Sequence, residues 1–110
     1  MISVKNKRIL LVGASGVLGS QYARSLSENG AKLIMSDLKN LKFQAVIKKN
    51  KKAKHLFCDL SNELEIINMV KKASAFFKGL DGEIYNSAAT QESLIKKKKN
   101  NFPKFENYPL

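Results

Sequence analysis

With one cysteine, one histidine, no tryptophan and two prolines in 110 residues, several kinds of protein are excluded at once. Cys58 has no second thiol with which to form an intramolecular disulfide, and a lone histidine with a lone cysteine falls short of the usual metal-ligand sets. No metal site is therefore expected, and His55 reads as an ordinary, partly exposed side chain. The low thiol count fits a reducing compartment, so the cytoplasm is the expected location. No apolar run approaches the roughly 20 residues of a membrane helix. Residues 1–8 mix lysine with polar residues and lead into an apolar run that meets glycines too soon for a signal-peptide core. Neither secretion nor a membrane partner is expected.

Acidic residues are also scarce: nine, against twenty basic ones, for a net charge of +11. Such a balance invites a nucleic-acid reading. Only Arg8 and Arg24 are arginine, however, and the lysines are scattered over several segments. A solvated lysine surface is the better reading, and no nucleic-acid partner is expected. A hydrophobic fraction of 44% and a charged fraction of 26% describe one soluble globular domain or part of one.

What is present is an alternation of short apolar runs with helical periods. Strands are predicted over residues 8–12, 32–36, 54–58 and 83–86. Between the first two, Leu18, Gly19, Tyr22, Ala23 and Leu26 recur at helical spacing, and Asn29-Gly30 supplies a stop. Residues 38–54 carry a weaker period through Leu41, Ala45 and Val46. In the next helix Ser61 is the expected cap, Glu63 and Glu65 suit the positive N-terminal end, and Lys71, Lys72 and Lys78 lie toward the other. Leu64, Ile67, Val70, Ser74 and Phe77 line one face of it, broadened by Ile66, Met69, Ala73 and Phe76. Asp81-Gly82 then turns the chain into the fourth strand. The order predicts an α/β fold, a Rossmann-type parallel sheet of strand order 3-2-1-4 that is incomplete. Residues 1–90 form the dinucleotide-binding unit. Residues 91–110, with the run Lys96 to Lys99, form a lysine-rich loop or tail.

Three glycines at equal spacing, Gly13, Gly16 and Gly19, join the first strand to the first helix. In a dinucleotide-binding unit the first permits a tight turn, the second lets backbone approach a pyrophosphate, and the third lets the helix pack closely on the sheet. Asp37 ends the second strand, where a carboxylate accepts hydrogen bonds from the adenosine ribose and repels a 2′-phosphate. Asp37 followed by Leu38 therefore favours NAD over NADP. Cys58 reads as a small buried apolar residue, because neighbouring Asp59 opposes thiolate formation.

Over residues 7–89 the chain resembles the short-chain dehydrogenases/reductases. Val12-Gly13-Ala14-Ser15-Gly16-Val17-Leu18-Gly19 is similar to their Thr-Gly-x-x-Gly-x-x-Gly segment, with Val12 in place of Thr. Cys58-Asp59-Leu60-Ser61 resembles their Asp-Val-Thr-type segment, and Asn86-Ser87-Ala88-Ala89 their Asn-Asn-Ala-Gly segment. The glycine spacing matches the extended subgroup and the asparagine segment the classical one. The resemblance implies cofactor contacts from Gly13, Ser15, Gly16, Val17, Leu18 and Gly19. It implies adenine contacts from Asp59 and Leu60, a tie between central strands from Asn86, and passage of Ser87, Ala88 and Ala89 beside the cofactor.

The family's catalytic pair, Tyr-x-x-x-Lys, has no match: Leu26 follows Tyr22 at that spacing and Ala89 follows Tyr85. No catalytic residue is assigned. The expectation is the NAD-binding N-terminal part of an oxidoreductase that transfers hydride between nicotinamide and a carbonyl or alcohol, cut off before its catalytic segment. A small-molecule substrate is then expected only for a complete chain, and self-association only through an exposed sheet edge at the fourth strand. The alternative is a stand-alone, non-catalytic nucleotide-binding or redox-sensing module.

Overall fold

Residues 9–12 read Ile-Leu-Leu-Val, with no polar side chain to turn toward water from either face of a strand. Such a strand belongs inside a sheet covered on both sides. A computed structural model, which describes residues 3–86, has it there. The elements run β1 (Arg8–Val12), α1 (Val17–Glu28), β2 (Lys32–Asp37), α2 (Leu41–Lys49), β3 (Lys54–Phe57), α3 (Glu63–Phe77) and β4 (Gly82–Tyr85). All neighbours are parallel, in the order β3-β2-β1-β4 that the sequence predicts. Leu10 stands opposite Ile34 and Glu83, and Val12 opposite Ser36 and Tyr85.

The alternation of side chains along β1 divides the core in two. Leu10 and Val12 pack with Ile34, Ile66, Met69 and Val70 beneath α3. Ile9 and Leu11 pack with Leu33, Met35, Phe43 and Ala23 beneath α1 and α2. The winding of the chain reverses between β1 and β4, and in open α/β sheets ligands bind at such a switch point, beyond the C-terminal ends of the strands.

Each helix sits rotated from the face that its sequence suggests. In α1 the smallest residues, Gly19 and Ala23, meet the sheet, while Leu18 is 55% exposed and Tyr22 also faces outward. Close approach of the helix to the glycine turn leaves no room for larger side chains there. In α2 the Asn40 carboxamide accepts a hydrogen bond from Phe43 N at 2.9 Å and fixes the start. Phe43 and Val46 then point inward, and Leu41, expected inside, is 81% exposed. In α3 the inward set is Ile66, Met69, Val70 and Ala73, whereas Leu64 is 72% exposed. Asn62, not Ser61, caps this helix by accepting from Glu65 N, and the Ser61 hydroxyl donates instead to Asp59 Oδ1 at 2.7 Å.

A second departure lies at the opposite end of the sheet. Asp81, read as a turn residue, accepts from Arg8 N at 2.8 Å, Nε at 3.0 Å and Nη2 at 2.9 Å. Arg8 also donates to the Phe77 and Lys78 carbonyls at the end of α3. One guanidinium thus ties β1, α3 and β4 together. Its hydrogen bonds hold the Asp81 carboxyl well below the usual carboxylate range. A depressed folded-state pKa stabilises the fold above the unfolded value of about 3.9 and is lost as pH falls further. Asp81→Asn should therefore lower the melting temperature at pH 7, and the gap to the unaltered chain should narrow progressively as pH falls below about 4. Thermal melts followed by circular dichroism across that range check this; a gap independent of pH would rule the charge pair out as its source.

Candidate functional site

The C-terminal ends of β1, β2 and β4 meet the N-terminus of α1 at the glycine turn. Gly13 leaves β1 with φ 88°, a left-handed conformation that side chains disfavour. Its N–H donates to Ser36 O at 2.8 Å, which fastens the turn to β2. Gly19 serves a different need. A Cβ built on it would collide with the Gly13 carbonyl oxygen and stand 2.9 Å from Ala14 Cα, both of them backbone atoms.

Gly16 serves neither purpose. It is the N-cap of α1 at φ −76°, a conformation open to any residue, and a Cβ added to it meets nothing within 4 Å. No cap bond is made by a side chain there. The opening N–H groups of a helix lack intrahelical acceptors and carry partial positive charge. Val17 and Leu18, in that first turn, are both exposed.

Asp37 closes the other side of the turn and is 9% exposed. Its Oδ2 accepts from Ser15 N at 2.9 Å and from Ser15 Oγ at 2.6 Å, and its Oδ1 accepts from Leu38 N at 2.7 Å. Sequence spacing places Ser15 and Asp37 at one site but does not reveal this bond, since 22 residues separate them. The carboxylate has one lone-pair position left, on Oδ1, by the usual count of four. Leu38 is exposed beside it.

The segment after β3 divides its tasks. Asp59 Oδ1 accepts from Ser61 N and Oγ, and these bonds lower the Asp59 pKa. Asp59 N donates to Glu65 Oε1 at 3.0 Å. Leu60 is buried in the core beneath α3, so its side chain is committed to packing. Cys58 is buried beside it, and burial, followed by the charges of Glu65, Asp59 and Asp37, pushes its pKa up to about 11. It is the inert thiol that the sequence suggests. His55 is exposed on β3, tilted against the Phe57 ring at 5.4 Å and edge-on to Phe43 at 6.4 Å.

Asn86 N donates to Val12 O at 2.8 Å, which carries the β1–β4 ladder one residue past β4. Ser87, Ala88 and Ala89, and the proposed tail over residues 91–110, lie outside the described residues. Among the described residues no three His, Cys, Asp or Glu side chains gather as a metal set, and no helix is long and apolar enough to cross a membrane.

The sequence model of the short chain dehydrogenase family matches residues 7–107. Tropinone reductase-like 2 of Erythroxylum coca is 38% identical over 85 residues, which cover 76% of this chain and 30% of that protein. A 3-oxoacyl-acyl-carrier-protein reductase of Rickettsia typhi is 33% identical over 107 residues, covering 94% of this chain and 42% of that one. Among solved structures, an NADH-dependent reductase complexed with NAD superposes on 76% of the chain with TM-score 0.67 and 22% identity, over 37% of its own length. A short-chain dehydrogenase/reductase of Serratia marcescens gives TM-score 0.71 at 19% identity, covering 78% of this chain and 37% of that one. The chain thus spans less than half the length of each of these proteins.

Proposed function

Since the chain belongs to the short-chain dehydrogenase/reductase family of oxidoreductases, we propose that the glycine turn, α1 and Asp37 form an NAD site. Gly16 carries this reading. The fold gives no reason for glycine at that position, as its conformation is ordinary and the space over it is open. A ligand that needs backbone contact at the start of a helix supplies the reason, and a pyrophosphate is such a ligand. Asp37 and Leu38 would face the adenosine, with the carboxylate accepting from ribose hydroxyls and opposing a 2′-phosphate.

Bound NAD would supply hydride transfer to or from a carbonyl or alcohol carbon. The chain's own residues would hold and orient it. Turnover needs the tyrosine and lysine that the family uses, which these 110 residues do not contain as a pair. It is proposed only for a protein in which a further segment supplies them.

Titration calorimetry with NAD and NADP tests the site. Gly16→Val should weaken both on the order of tenfold, about 1.4 kcal/mol, because its effect is steric. Its cost to folding should stay near 1 kcal/mol, the scale of a poorer N-cap. Unchanged affinity in a folded Gly16→Val chain would remove the pyrophosphate from this turn.

A further inference from the structure

Folding undoes the scatter of the lysines. Residues 38–54 hold seven lysines and no acidic residue, while Asp59, Glu63, Glu65, Asp81 and Glu83 all follow β3 in the chain. The basic half closes around an open groove of about 1210 Å³ between α1 and α2, whose floor is the start of β2. Lys42 and Lys49 stand seven residues apart on α2, two helical turns, so they project on one side with Ala45 and Val46 between them. Lys32, Lys51 and Lys52 close the end of the groove. Its one acidic lining residue, Glu28, is bonded to Arg24 at 2.7 Å, and none of these five lysines has a carboxylate partner among the described residues.

We propose that this groove docks an acidic amphipathic helix of a partner polypeptide. Its floor of Ala31, Leu33, Ala45, Val46 and Ala53 is apolar and flat, since three of the five are alanine. A helix roughly 10 Å across and 5.4 Å per turn fills about three turns in that volume. A narrow apolar stripe flanked by carboxylates matches both the floor and the cationic rim. A nucleic-acid strand matches the rim alone. Single strands are held by free aromatic faces together with cations. Phe77, the aromatic residue that lines the groove, is partly buried against the core beneath α3.

The groove is a separate feature from the NAD reading and is tested apart from it. The probe is a labelled 18-residue peptide with leucine and alanine on one helical stripe and glutamate on both flanks. Fluorescence anisotropy with the 110-residue chain at 0.15 M salt, roughly physiological, reads binding. Its scrambled isomer should bind at least tenfold more weakly, and so should an oligouridylate of equal charge. Lys42→Glu/Lys49→Glu/Lys52→Glu should lower peptide affinity at least tenfold. Ala45→Glu, at an exposed position on α2, should do the same should the triple variant fail to fold; circular dichroism melts decide that. Equal binding of the scrambled peptide, tighter binding of the oligouridylate, or peptide binding that is absent or indifferent to these substitutions would each overturn the proposal.

Discussion

Gly19→Ala should strongly destabilise the fold and weaken the proposed dinucleotide binding along with it. A single added carbon cannot be accommodated by a side-chain rotation, because what it strikes is the Gly13 carbonyl and the Ala14 backbone. Relief requires α1 to move off the sheet or the glycine turn to move off β2, and the turn is held there by the Gly13 and Ala14 N–H bonds to Ser36 O. Added volume in a close-packed site costs about 1–3 kcal/mol when side chains can adjust, and more when backbone must. A loss of about 3 kcal/mol or more is a large part of the roughly 5–15 kcal/mol available to a domain. Urea titration followed by circular dichroism should show the midpoint fall steeply for Gly19→Ala and much less for Gly16→Ala, which meets only open space and costs no more than a poorer N-cap. Equal midpoints for the two variants would mean that the helix and turn are looser than the geometry of Gly19 allows.

The contrast between these glycines marks what the sequence could tell. Sequence alone assigns the three glycines three separate tasks, and the folded backbone shows a left-handed φ at Gly13 and close backbone packing at Gly19 while giving Gly16 no structural need of its own. The strands were legible because apolar runs bounded by turn residues admit little else, and parallel order followed from alternation with helices. Helix faces were less legible. A stripe of leucines at positions 41 and 64 looks inward by hydrophobicity, but cap residues and close packing set the rotation, leaving both leucines in water. Long-range polar bonds were not legible at all: Arg8–Asp81 and Ser15–Asp37 join residues 73 and 22 positions apart. The lysine groove is not legible for the same reason, since segments on two helices and a loop form it only after folding.

On the proposed NAD reading, Asp37→Ala should narrow a preference for NAD over NADP by about 1–3 kcal/mol, some five- to 150-fold in the ratio of affinities. Two effects act in the same direction. The ribose loses its carboxylate acceptor, which weakens NAD, and a 2′-phosphate loses a like charge, which strengthens NADP. Ser15 adds a third. Its N–H and hydroxyl both donate to Asp37 Oδ2, so removing the carboxylate leaves two donors at the start of the glycine turn with no anion to bind. Part of the NADP gain should therefore depend on the Ser15 hydroxyl, and a double-mutant cycle isolates that part. Ser15→Ala alone should leave the repulsion of NADP in place, because the charge of Asp37 remains. Combined with Asp37→Ala, it should return a measurable share of the NADP affinity that Asp37→Ala gained. Calorimetry on the four chains with both cofactors gives every term. Should the unaltered chain bind NADP more tightly, or should Asp37→Ala leave the ratio unchanged while lowering the melting temperature, Asp37 would be a fastener between β2 and the glycine turn and not the residue that chooses the cofactor.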